Sequence, residues 1–139
     1  MIRVLMVGTV LAIGVSALAL QVTRAEQAPA KGNKGFTTSK TQVVDLGPEI
    51  EGMKGRQLRL RILHIAPGGQ IGAHDHKNRP AVVYVISGET TMYTLDGKKK
   101  TYRAGETSSA TKDTTHWYVN ESNEPFVFVA VDVFQPDSK

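Results

Sequence analysis

Alternation with a period of two runs through the chain from Thr41 onward, and no stretch there keeps a helical pattern over three turns. From Arg56 to Ile65, Leu58, Leu60 and Ile62 fall on one face and Arg59 and Arg61 on the other, the spacing of a β-strand. Pro67-Gly68-Gly69 is expected to end that strand. Ala81–Ile86 is β-branched and bounded by Pro80 and Ser87-Gly88, which marks a second strand. Thr90–Leu95 and Lys99–Arg103 flank Asp96-Gly97, a hairpin signal. His116–Asn120 and Phe126–Phe134 complete the set, with Asn123-Glu124-Pro125 between them. Six or more short strands separated by Gly, Pro and Asp turns predict an all-β sandwich or barrel.

The 139 residues suffice for one domain and not for two cores. With 40% hydrophobic and 22% charged residues the composition is that of a globular protein, neither disordered nor collagenous. There is no cysteine, which excludes disulfides, thiolate metal sites, cysteine nucleophiles and lipid attachment through a lipobox. The N-terminus reads as an address. Arg3 precedes an uncharged run from Val4 to Leu20, and small residues Thr23 and Ala25 stand where a signal peptidase reads. A signal peptide over residues 1–25, cut after Ala25, makes the protein periplasmic or secreted; an uncleaved anchor is the other reading of the same run. Residues 26–40, rich in Ala, Lys, Gly, Thr and Ser, are expected to be a flexible lead-in, and 41–136 to be the β domain.

Cleavage would remove Arg3 and Arg24 and no acid, halving the formal net charge of +4. So weak a balance argues for no nucleic acid partner and no stable membrane insertion after cleavage. The one basic run, Lys98-Lys99-Lys100, suits a solvated edge strand as well as a binding patch.

Of four histidines, His74 and His76 are two residues apart in a strand-forming stretch. Alternation turns both to one face, about 6.6 Å apart along the strand, from where two rings can share one metal ion. Two surface histidines in a Gly-rich loop are the plainer alternative. The flanking residues narrow the choice. Gly68, His74-Asp75-His76, Ala81 and Gly88 follow the spacing G-x5-H-x-H-x3,4-E-x6-G, and Gly105, Thr111, Asp113, His116 and Asn120 follow G-x5-P-x-G-x2-H-x3-N. The chain therefore resembles a small single-domain cupin of the conserved-barrel type from about Thr41 to Pro136. That resemblance implies a jelly-roll or double-stranded β-helix barrel of six to eight antiparallel strands, a metal inside it and, in many members, a homodimer.

Carried over by position, His74, His76 and His116 match the three histidine ligands, while the family's glutamate ligand falls at Ala81. Thr111 and Asp113 also replace the motif's proline and glycine, in the turn before His116. Three neutral imidazoles and no carboxylate suit Fe, Cu, Zn or Ni and leave at least one position open. The resemblance permits an exported metal-dependent enzyme, dioxygenase-like or water-activating, acting on a small oxygenated substrate. A non-catalytic small-ligand or metal-binding module (sensor or carrier) and a metal-free structural cupin are the alternatives.

Four further residues are candidates for the site. Asp132 interrupts the apolar strand Phe126–Phe134 and shares parity with Phe126, Phe128 and Ala130; it orients a histidine or acts as a base if that face is inside, and is external if the valines are. Arg79 stands in the loop where the glutamate would have come and is a candidate for a substrate carboxylate, or simply solvated. Tyr118, in parity with His116, and Gln70, near the first histidines, are candidate substrate contacts. His64 ends the Leu58–Leu60–Ile62 face and is expected to be a hydrogen-bonded core histidine.

Overall fold

The computed structural model describes residues 27–136; the sequence-predicted signal segment lies outside them. Eight strands make up the described chain: β1 (Lys34–Asp45), β2 (Gln57–Asp75), β3 (Ala81–Ser87), β4 (Glu89–Thr94), β5 (Lys99–Arg103), β6 (Thr107–Ala110), β7 (Thr115–Val119) and β8 (Phe126–Phe134). All pairings are antiparallel, in the order β5-β4-β7-β2-β8-β3-β6, with β1 added on β2. The result is the expected all-β, nearly closed barrel.

Strand β2 explains the closure. Its first half, Gln57–Ile65, pairs with β8, and its second half, Gln70–Asp75, pairs with β7. One strand thus belongs to both walls, turning the corner at Ala66-Pro67-Gly68-Gly69. Pro67-Gly68-Gly69 was expected to end the strand; it bends it instead, with Gly68 at φ +67°. The residues around the bend keep their hydrogen bonds: Gly68 N–H donates to Asn120 O and Asn120 N–H to Gly69 O. Gly88, the last glycine of the first histidine motif, is required sterically, because a Cβ there would collide with the Pro125 carbonyl oxygen.

Two differences from the expected organisation have clear causes. The lead-in over 26–40 is not loose throughout, because Lys34–Lys40 is the start of β1 and pairs with β2 between Lys34↔Gln70 and Lys40↔Ile62. Its outer side chains are polar, so it carries no apolar stripe, and only Phe36 packs against the core. The Leu58–Leu60–Ile62 face points out of the barrel. Leu58 and Leu60 are exposed, whereas Arg59 and Arg61 turn inward. His64 follows the outward face, where its Nε2 meets Ser39 Oγ at 2.8 Å; it is not a core histidine. The outer side of β3 is also apolar, with Val82, Tyr84 and Ile86 exposed.

The core fills one end of the barrel with Leu63, Ile65, Ile71, Val85, Tyr102, Tyr118, Phe126 and Phe128. Fully buried Asn120 seals that end by donating to Ile65 O and Glu124 O, while its own oxygen accepts from Ser122 N and Oγ. The hairpin of β4 and β5 closes on Asp96-Gly97 as expected, and β5 with its lysines is an edge strand.

Candidate metal centre

The opposite end holds the histidines. His74 lies on β2 directly across from His116 on β7, and His76 stands one residue beyond the end of β2. A register shift between Ile71 and His74 re-aims the strand, so both line the same cavity although three residues apart, which simple alternation forbids. His76 is fixed by the turn that follows: its N–H donates to Thr114 O, and Arg79 N–H donates back to His76 O.

The three rings face one another, with centroids 4.7–5.2 Å apart. Nε2 of His116 is 3.1 Å from Nε2 of His76 and 3.2 Å from Nε2 of His74. His74 Nδ1 lies 2.8 Å from Gly72 O, and His76 Nδ1 lies 2.9 Å from Arg79 O. A carbonyl only accepts, so both Nδ1 atoms carry the proton and both Nε2 atoms present lone pairs to the centre. Those lone pairs, with His116 Nε2 between them, require either one shared proton or a cation. His116 Nδ1 is buried without a partner among the described residues.

Burial lowers the pKa of all three rings, and for His116 the neighbouring His74 and His76 and then Arg79 add to the burial, bringing it down to about 3. The rings are therefore neutral at pH 7, the state that binds metal. Donor type, protonation and the two short separations all fit a single divalent ion at ~2.0–2.1 Å from each nitrogen.

The cavity beside the rings has a volume of about 310 Å³, in the range of small-molecule sites. Asp132 lines it, which answers the parity question: the valines of β8 face outward and Asp132 is buried. Its oxygens are already engaged. Arg59 Nε donates to Oδ1 at 3.0 Å and its NH2 to Oδ2 at 2.7 Å, Arg61 NH2 reaches Oδ2 at 3.2 Å, and Arg79 NH1 stands 3.9 Å away. Arg79 and Tyr118 also line the cavity. Tyr118 packs edge-on against His116, and its buried hydroxyl, bonded to Ser108, is pushed well above the usual phenol range. Gln70 stands apart: its amide donates to the carbonyls of Lys31 and Gly32 and does not line the cavity. Arg59 and Arg61 were missed in the sequence because an Arg/Leu alternation reads as polar outside and apolar inside. The available signal was Asp132, a carboxylate in an apolar strand that needs a cation if buried. Ala81, at the position of the family's glutamate, faces Asp132 on β8 and Ala110 on β6 in register.

The cupin domain profile, Cupin_2, matches residues 61–133, more than half of the chain. The protein belongs to this cupin family. Among solved structures it is similar to an uncharacterized conserved protein with a double-stranded β-helix domain from Klebsiella pneumoniae (22% identity, 73% of this chain and 76% of that one, TM-score 0.56). The polyketide cyclase RemF from Streptomyces resistomycificus aligns at 20% identity over 78% and 72% of the two chains, TM-score 0.59. The Cupin_2 domain of an XRE family transcriptional regulator from Enterobacter cloacae aligns at 22% identity over 74% and 100%, TM-score 0.52. At these identities the likeness establishes the fold alone. No curated protein matches the sequence.

Proposed function

We propose that this cupin is an exported metal protein holding Fe, Cu, Zn or Ni on His74, His76 and His116, and that it is an enzyme acting on a small oxygenated substrate. The observation that carries the reading is the convergence of three neutral Nε2 atoms, two of them aimed by backbone carbonyls. When bound, such an ion supplies a Lewis-acid centre with positions that no protein ligand fills. Gly72 and Arg79 carbonyls hold the rings of His74 and His76 in orientation and tautomer. Tyr118 and the apolar wall of Ile71, Val83 and Phe128 exclude water from one side of the cavity.

A second reading, a non-catalytic carrier or sensor, is favoured by the state of Asp132. With both of its oxygens on guanidinium groups, the cavity lining holds no free carboxylate for proton transfer among the described residues. The same observation weighs against a water-activating reaction, which needs a proton acceptor, more than against a dioxygenase-like one.

Elemental analysis of protein recovered from the exported compartment tests the centre. One equivalent of a transition metal, lost in His116→Ala, is the expected result; no metal in the intact protein sinks it. Oxygen uptake by Fe- or Cu-loaded protein with phenolic and diketone substrates separates enzyme from carrier. The mass of the exported chain checks the cut after Ala25.

A further inference from the structure

The charges around the cavity do not balance. Among the described residues Asp132 is the only acid lining it, yet three guanidinium groups converge on that carboxylate. Arg59 satisfies Asp132 by itself, gripping both oxygens while its other face lies on the Phe134 ring, 3.6 Å from the centroid. The other two arginines are left in excess. Arg61 gives a single hydrogen bond to the carboxylate, and its Nε is buried with no acceptor among the described residues. Arg79 stands beyond hydrogen-bond distance of Asp132, 3.9 Å away, and its NH2 donates to the Asp75 carbonyl at 3.3 Å. Both line the same cavity as the three histidines, which are neutral and compensate nothing.

Placing two cations in a partly enclosed wall without matching anions is costly. Burial and the neighbouring Arg59 depress the pKa of Arg61, which registers the same mismatch. Ala81 keeps the adjacent position free of any side chain that would fill the space or supply a counter-charge.

We infer that Arg61 and Arg79 form an anion-binding wall, and that the ligand of this cavity is a small organic carboxylate seated between those guanidiniums and the three histidines. This deepens the function proposed above by giving the charge class of the ligand, and it rests on that reading only in placing the ligand in this cavity. Arg59 and Asp132 then act as the fixed pair that holds Arg61 in position. Val83, Ala110, Phe128 and Tyr118, also in the lining, suit an apolar body on the acid, beside the polar Asn33 and Ser108.

Salicylate and salicylamide make a matched pair of probes, with the same ring and hydroxyl and differing in the carboxylate. Calorimetry on zinc-loaded and metal-free protein is expected to show salicylate binding at least about tenfold tighter than salicylamide, the scale of one charge-assisted hydrogen bond. Arg61→Gln and Arg79→Gln should each weaken salicylate about tenfold and leave salicylamide unchanged. Should Arg61→Gln not fold, Arg79→Gln carries the test, since Arg79 makes no direct bond to Asp132. Absence of salicylate binding, equal binding of the two probes, or indifference to the substitutions overturns the inference. Zinc stoichiometry of the same samples reports on the histidine centre separately. Selective salicylate binding by protein that takes up no zinc would remove zinc from the metal reading and keep the wall; one zinc per chain without selectivity would keep the centre and overturn the wall.

Discussion

The two ends of this barrel are built by the same strands and have opposite chemistry. Along β8 the inward residues run Phe126, Phe128, Ala130, Asp132, and along the paired β2 they run Ile65, Leu63, Arg61, Arg59. Four steps of one ladder lead from a dry aromatic core to a buried ion cluster. At the sealed end a fully satisfied Asn120 closes the hairpin, whereas at the other end His116 Nδ1 and Arg61 Nε are buried without partners among the described residues. One end is optimised for stability. The other retains unmet polar groups, the expected mark of a place built to receive something.

The contrast is open to direct tests. The largest expected effect is at the sealed end: Phe126→Ala should cost about 3–5 kcal/mol in urea unfolding, through lost burial and a cavity between Ile65 and Phe128. At the open end, Asp132→Ala should cost about 2–3 kcal/mol, because it strands two arginines that keep some contact with water. Sulfate should recover part of that loss and none of the first, and equal recovery in both variants would break the distinction. The third test is pH. The His116 pKa is lowered from 6.5 to about 3, so between those values the unfolded chain binds a proton that the folded chain does not. Stability of the metal-free protein is then full above pH 6.5 and falls as pH drops, by about 1.4 kcal/mol per unit from His116. His74 and His76 act in the same direction. Chemical unfolding from pH 4 to 8 measures the slope, which should shrink in His116→Leu. The smallest effect is outside: Leu60→Ser should stay within about 0.5 kcal/mol, and a larger loss would mean that the outer face is covered.

Much of this was legible beforehand. The strands β3, β4, β5, β7 and β8, the Asp96-Gly97 hairpin and the three histidines follow from periodicity, turn residues and motif spacing. What escaped did so for physical reasons. β1 is an edge strand held by backbone hydrogen bonds to β2, so its composition looks like linker. The turn at Pro67-Gly68-Gly69 carries the usual signs of a strand end, yet a barrel corner needs the same residues. The orientation of Leu58–Ile62 was inverted because alternation gives two faces without saying which is inside, and the buried Asp132 reversed the ordinary choice. Gln70 was near the histidines in sequence, but its strand turns that side chain toward residues 31 and 32.

The histidines and the arginines sit on different walls. His74 and His116 belong to the wall made by the second half of β2 with β7, whereas Arg61 stands on the wall made by the first half of β2 with β8 and β3. A guest touching both groups would therefore act as a cross-tie, bracing the open mouth at a distance from the corner of β2 that joins the two walls. Occupancy would then be felt as rigidity, with amide exchange slowing in β6 and β3 and hardly changing around Asn120.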